Sequence, residues 1–162
     1  MADVHSKETR SFNMSRIRSS GTKIELLLAK ALWNEGIRYR KNDKTVYGKP
    51  DFAFKGIKLA IFCDSEFWHG KDFAVLQNRI GTNKEFWITK ITKNIERDIK
   101  VNGVLSEAGW TILRYWEKDI KKDIVPVVAE ITTTIKQLKE LKNNRRFDQA
   151  ATTCSINESR NS

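Results

Sequence analysis

The stretch Gly48-Lys49-Pro50-Asp51-Phe52-Ala53-Phe54-Lys55-Gly56-Ile57-Lys58-Leu59-Ala60-Ile61-Phe62-Cys63-Asp64 decides what kind of fold this chain can adopt. From Asp51 polar and apolar residues alternate at the start, the period of a strand with one covered face. Lys55 and Gly56 mark a turn. Ile57 to Cys63 is almost continuously apolar, as a central strand covered on both faces must be. So short a connection makes the two strands a hairpin, and Asp51 then lies beside Cys63 and Asp64 near the outer ends of neighbouring strands.

Outward from this hairpin the pattern turns helical. Thr22 with Glu25 fits a capping box, and Ile24, Leu27, Leu28, Ala31 and Leu32 recur at helical spacing until Gly36. Ile37 to Arg40 reads as β, followed by a turn at Asn42 and Asp43. Beyond the hairpin, Asp64 to Thr82 has no period and reads as a loop that opens with Ser65-Glu66-Phe67-Trp68-His69-Gly70. Asn83 is placed to cap a long helix ending near Gly109, with Ile88, Ile91, Ile95 and Ile99 as its apolar stripe. Trp110 to Trp116 follows as a strand. Val125 to Leu141 makes a final helix with Pro126 near its first turn. The order helix, strands, helix, strand, helix predicts a three-layer α/β domain, a central mixed sheet flanked by helices. Residues 1–20 read as a basic N-terminal arm around Phe12, Met14 and Ile17, 21–142 as one domain, and 143–162 as a flexible tail.

Composition limits the partners. Thirty lysines and arginines against twenty acidic residues give a formal charge of +10 over 162 residues, a field that favours a polyanion such as nucleic acid. The apolar share of 40% is too high for a disordered polybasic chain, and no run approaches the ~18 apolar residues of a membrane span. Met1 to Arg10 is polar, without an apolar signal core, so the expectation is a cytoplasmic protein. Two cysteines, Cys63 and Cys154, with His5 and His69 cannot build a four-ligand structural zinc site at ordinary spacing.

The chemistry concentrates at the hairpin ends. Pro50 stiffens the chain entering Asp51, and a hard cation such as Mg2+ prefers fixed oxygens of this kind. A lone Pro-Asp pair is an ordinary turn; here the next strand delivers Asp64 and then His69 to the same end. Two carboxylates and an imidazole can bind a metal and activate water. Glu25 has two readings, the N3 carboxylate of the capping box and a support for metal-bound water or the imidazole. Phe67 and Trp68 are large apolar residues in a polar loop, either core plugs or wedges for a weakened base pair. Trp87 lies off the isoleucine stripe beside Asn94, with Lys90 and Arg97 on the polar side to meet phosphates, and Trp87, Lys90, Asn94 and Arg97 are all candidate DNA contacts.

These residues resemble the very short patch repair (Vsr) DNA mismatch endonucleases over about residues 1–118. The shared features are Met1-Ala2-Asp3-Val4-His5, the arm around Arg10-Ser11-Phe12-Asn13-Met14, Glu25, Gly48-Lys49-Pro50-Asp51-Phe52, Ile61-Phe62, Phe67-Trp68-His69, Phe86-Trp87, Lys90-Ile91, Asn94, Glu96-Arg97-Asp98, Gly109-Trp110 and Trp116-Glu117. The resemblance implies a restriction-endonuclease-like fold and magnesium-dependent nicking of one strand beside a T:G mispair. It implies catalytic roles for Asp51, His69, Glu25 and Asp64, with Asp51 and the Cys63 main-chain carbonyl as metal ligands. Phe67, Trp68 and Trp87 match intercalating aromatics, and Met14 matches the arm that embraces the duplex. Double-stranded DNA with a T:G mismatch is the implied substrate, mismatch-repair proteins are candidate partners, and the implied state is a monomer in the bacterial cytoplasm.

One departure is large. The family usually carries a structural zinc held by cysteine and histidine, whereas this chain has Glu66, Lys71, Phe73 and Lys118 near those positions. No structural zinc is expected, and Glu66 with Lys71 or Lys118 is a candidate substituting ion pair. Two other readings stand beside mismatch repair: a sequence-specific or modification-dependent restriction-type endonuclease of the same fold, and a catalytically inactive DNA-binding module.

Overall fold

The computed structural model describes residues 20–80 and 83–158, together with Thr9 and Phe12. Met14 and nearly all of the expected arm over residues 1–20 lie outside the described residues. A mixed sheet of four strands forms the middle layer, in the order β1 (Arg40–Lys41), β2 (Phe52–Phe54), β3 (Leu59–Asp64) and β4 (Thr111–Trp116). β1, β2 and β3 are antiparallel neighbours, with Phe52 opposite Ile61 across the hairpin. β3 and β4 run parallel, pairing Phe62 with Arg114 and Asp64 with Trp116. A parallel pair needs a crossover. It is supplied by the turn after β3, the short helix α2 (Phe73–Arg79) and the long helix α3 (Lys84–Glu107).

Alternation along β3 sorts the core into two halves. Leu59 and Ile61 face α1 (Lys23–Asn34), α4 (Glu117–Lys122) and α5 (Ile124–Glu158), packing with Leu28, Leu32, Ile120 and Ile131. Ala60 and Phe62 face the other way, onto Val101 and Leu105 of α3. The result is the expected three-layer α/β architecture. Asp64 follows Phe62 by two residues and so emerges on the α3 side, at the carboxyl end of the parallel pair, where crevices form in α/β sheets.

Several local expectations are corrected. The first strand is reduced to Arg40–Lys41 rather than beginning at Ile37. The segment after Asp64 is not all loop, since Phe73–Arg79 is helical. Asn83 makes no capping hydrogen bond through its side chain and adopts φ +52°. Ile99 does not join the buried stripe of α3 but stands exposed, because each i+4 step overshoots a full turn by about 40° and carries the row 91, 95, 99 off the covered face. Val101 and Leu105 take its place. Finally, α5 does not stop at Leu141; its backbone stays helical to Glu158 through the expected flexible tail. That segment contains neither glycine nor proline, so nothing in it terminates a helix.

The α1 capping box is formed as expected, with Thr22 Oγ1 accepting from Glu25 N–H and the Glu25 carboxylate accepting from Thr22 N–H. Among the described residues no helix is long and apolar enough to cross a membrane.

Candidate active site

Asp51 enters β2 from a turn in which Gly48 and Lys49 both have positive φ. Gly48 is required there twice over: its φ is +77°, and a Cβ would stand 2.4 Å from Val101 Cγ1. The turn therefore rests directly on α3. Asp51 Oδ2 accepts a hydrogen bond from Cys63 N–H at 2.7 Å, so the hairpin does bring Asp51 against Cys63 and Asp64.

His69 is carried by the turn after β3, where its N–H donates to Ser65 O at 3.1 Å. The next residue, Gly70, has φ +67°, and a Cβ there would come within 2.6 Å of Ile95 Cδ1. The turn thus lies flat on α3 and aims the imidazole between helix and sheet. Asn94 Nδ2 donates to Trp68 O at 3.0 Å and holds the same turn from the helix side.

His69 Nδ1 is 2.5 Å from Asp98 Oδ2 and 3.5 Å from Asp64 Oδ1. Opposite them, Arg114 Nη1 meets Asp64 Oδ2 at 2.7 Å, while Nη2 lies 3.6 Å from Asp98 Oδ1. Imidazole, two carboxylates and guanidinium close a ring that joins turn, β3, α3 and β4. Burial alone would push the Asp98 carboxyl up; the hydrogen bond from His69 and the charges of His69 and Arg114 outweigh it and hold the group below the usual carboxylate range. Asp98 and Arg114 carry no role in the sequence reading. A signal existed, because Asn94 and Asp98 interrupt the row Ile91, Val101, Leu105 on the covered face of α3.

Among the described residues no arginine or lysine is paired with Asp51, and the His69 charge lowers its pKa only weakly. Burial, with the charges of Glu25 and Asp64 added, pushes its pKa up to about 7 despite the Cys63 hydrogen bond. A carboxylate penalised in this way would be relieved by a divalent cation. Burial and the surrounding carboxylates also push the Cys63 thiol up, so the main-chain carbonyl is the oxygen this residue can offer and the sulfur stays protonated. Among the described residues no three His, Cys, Asp or Glu side chains converge as a metal-binding group. One carboxylate and one carbonyl oxygen fit a cation that keeps several waters and takes only one or two carboxylates from the protein, as magnesium does.

Glu25 fills the capping reading. Its oxygens accept from Gly21 N–H, Thr22 N–H and Thr22 Oγ1, which is the capping role. Its charge also reaches Asp51. Among the described residues no hydrogen bond joins it to His69.

Asp51, Asp64, His69 and Asp98 line one open cleft of about 750 Å3 whose wall also carries Lys44, Lys49 and Arg97. An acidic floor with basic residues around it suits a phosphodiester backbone approaching a cation. Beside the cleft, Phe67, Trp68 and Trp87 gather with ring centroids 5.0–5.6 Å apart. Phe86 extends this cluster, and Lys90 Nζ lies 5.0 Å above the Trp68 ring. None of these rings belongs to either core cluster, and Phe86 is 58% exposed. Arg97 is exposed beside Asp98.

Near the positions of the family's zinc ligands the expected Glu66–Lys71 or Glu66–Lys118 ion pair does not form. Glu66 Oε1 instead accepts from the main-chain N–H of Lys118 at 2.8 Å, at the first turn of α4 where unpaired N–H groups are available. Lys71 turns to Asp119 at 3.6 Å and to the Trp116 ring.

Comparison with known proteins bears on this site. A family model described as DNA mismatch endonuclease Vsr matches residues 2–75. The Type II nicking enzyme V.HpaIIP of Haemophilus parainfluenzae is 52% identical over 118 residues, 73% of this chain and 84% of that relative. The Type II nicking enzyme V.NmeDIP of Neisseria meningitidis serogroup C is 46% identical over 134 residues, covering 83% and 90%. The DNA mismatch endonuclease Vsr of Escherichia coli strain K12 is 42% identical over 117 residues, covering 72% and 74%.

Proposed function

Because the chain belongs to the Vsr family of DNA mismatch endonucleases, we propose that it nicks one strand of duplex DNA next to a T:G mispair and so begins short-patch repair. The observation that carries this reading is the convergence of Asp51, Asp64, His69 and Asp98 in one cleft beside a surface cluster of aromatic rings. The three-layer sheet and helices fit a restriction-endonuclease-like fold.

Asp51 and the Cys63 main-chain carbonyl are the groups that would hold magnesium, which supplies Lewis-acid stabilisation of the charge developing on the scissile phosphate. His69 donates its Nδ1 proton to Asp98, which fixes the tautomer and leaves Nε2 as the lone pair that accepts a proton from the attacking water. Asp64 is held by Arg114 and acts on the imidazole from the sheet side. Glu25 adds negative charge behind Asp51, sharpening its demand for a cation. Lys90 and Arg97 meet phosphates, Asn94 holds the aromatic turn in place, and Phe67, Trp68 and Trp87 stack against a base step that a mispair has already weakened. Met14 belongs to the arm that would embrace the duplex.

The test is nicking of a labelled duplex bearing one T:G pair against the same duplex fully paired, with magnesium. Cleavage confined to the mispaired duplex supports the repair reading. Equal cleavage of paired DNA would replace it with a restriction-type activity, and binding without cleavage of either would leave a DNA-binding module.

A further inference from the structure

Arg114 is misplaced for a purely structural residue. It occupies the middle of β4 on the face that α3 covers, in the row with Ile112 and across from Phe62, where apolar packing would ordinarily be preferred. The guanidinium lies over the Phe62 ring at 4.3 Å. Its nitrogens reach three side chains: Asp64 at 2.7 Å, Asn102 Oδ1 at 3.0 Å and Asp98 at 3.6 Å. The last is too long for a hydrogen bond, and among the described residues the buried Nη2 has no hydrogen-bond partner. The fork is thus committed to Asp64 and Asn102 and stops short of Asp98.

The two carboxylates involved are the two that face His69 Nδ1. That nitrogen has one proton and two possible acceptors, Asp98 at 2.5 Å and Asp64 at 3.5 Å. A carboxylate whose charge is offset by a guanidinium at 2.7 Å is a weaker acceptor for a second donor than one whose guanidinium neighbours stay 3.6 Å away. We propose that Arg114 is a positioning residue for nicking: by occupying Asp64 it leaves Asp98 as the acceptor that orients His69, and it cancels one of the two carboxylate charges against the imidazole. This rests on the reading of His69 as the base that takes a proton from water.

The charged groups facing His69 are Asp64 from β3, Asp98 and Arg97 from α3, Arg114 from β4 and Asp51 from the start of β2. Removing Arg114 leaves this set with one fewer positive charge, which favours imidazolium and withdraws the base. The experiment compares wild type with Arg114→Met and Arg114→Lys by steady-state nicking across pH and by imidazole NMR titration, with the two histidines told apart using His69→Ala. For Arg114→Met the expected results are a kcat lower by ~tenfold at neutral pH, KM for DNA nearly unchanged, and both the acidic limb of kcat and the His69 titration moved upward by about one pH unit. Arg114→Lys keeps the charge but cannot fork between Asp64 and Asn102, so it should lose about threefold in kcat with little movement of the limb.

If Arg114→Met does not fold, the lysine variant carries the test, and wild-type kcat in that variant overturns the proposal. A His69 titration unmoved in a folded Arg114→Met also overturns it, as does a loss confined to KM. The NMR readout needs no cleavage. Were His69→Ala to nick normally while the titration still moved, the assignment of His69 as base would fail and the hold of Arg114 on the ring would stand.

Discussion

Replacing Asp51 by asparagine probes the electrostatics of the site with little change of shape. Asparagine retains an oxygen for the Cys63 N–H that Asp51 now accepts at 2.7 Å, but it does not ionise. Burial and neighbouring carboxylates push the Asp51 pKa from 3.8 to about 7 in the folded chain. A carboxyl whose folded pKa lies above its unfolded value binds more protons when folded, so stability without metal is greatest below ~4 and falls until the pH passes about 7. A gap of about three units at 1.36 kcal/mol each sets a ceiling of ~4 kcal/mol on that loss. In EDTA at pH 8 the Asp51→Asn variant should therefore be more stable than wild type by up to ~4 kcal/mol, or roughly 8–16 °C in Tm for a domain of this size. The gap should close as the pH falls toward 4. Magnesium should stabilise wild type at pH 8 according to its occupancy and leave the variant unchanged. Calorimetry over this pH range, with EDTA or magnesium, reads all three. A variant less stable than wild type at pH 8 in EDTA, or a gap independent of pH, would refute the argument.

Three further outcomes follow from the geometry. Gly70→Ala places a Cβ against Ile95 at a positive φ and should lower stability by ~1–3 kcal/mol, measured in urea, with a parallel loss of nicking as the His69 turn lifts from α3. Asp98→Asn offers His69 Nδ1 an amide in place of a carboxylate and should reduce kcat by ~10²-fold or more with KM little changed, in steady-state nicking. Trp68→Ala should weaken binding of a T:G duplex by ~1–3 kcal/mol per lost base stack, and paired duplex less, in a gel-shift titration; equal weakening of both would count against a probing role.

What could be read from sequence follows from what each pattern encodes. The hairpin from Asp51 to Asp64 was legible because alternation, a Lys-Gly turn and an apolar run each specify backbone and burial locally. The same hairpin explains why Asp51 and Cys63 could be paired in advance. The capping box of α1 is similarly local. Asp98 and Arg114 were not found as site members because their partners are distant in the chain: Asp98 meets His69 across 29 positions, and Arg114 meets Asp64 across 50. Ile99 misled because isoleucine at i+4 looks like a stripe until the rotation of the helix is followed over several turns. The end of the last helix at Leu141 misled in the opposite sense, since lacking an apolar face removes a reason to pack and not a reason to be helical. Glu66 and Lys71 have complementary charges, yet each found a nearer partner on α4, which charge alone does not reveal.

Nicking in the proposed manner requires His69 and Asp51 to act on the same phosphodiester. The direct measurement is single-turnover nicking of a duplex with one T:G pair, in magnesium, by wild type, Asp51→Ala and His69→Ala, each confirmed folded and bound to DNA. Loss of cleavage in both variants, with binding retained, is the predicted result. Cleavage at wild-type rate by either variant would contradict it.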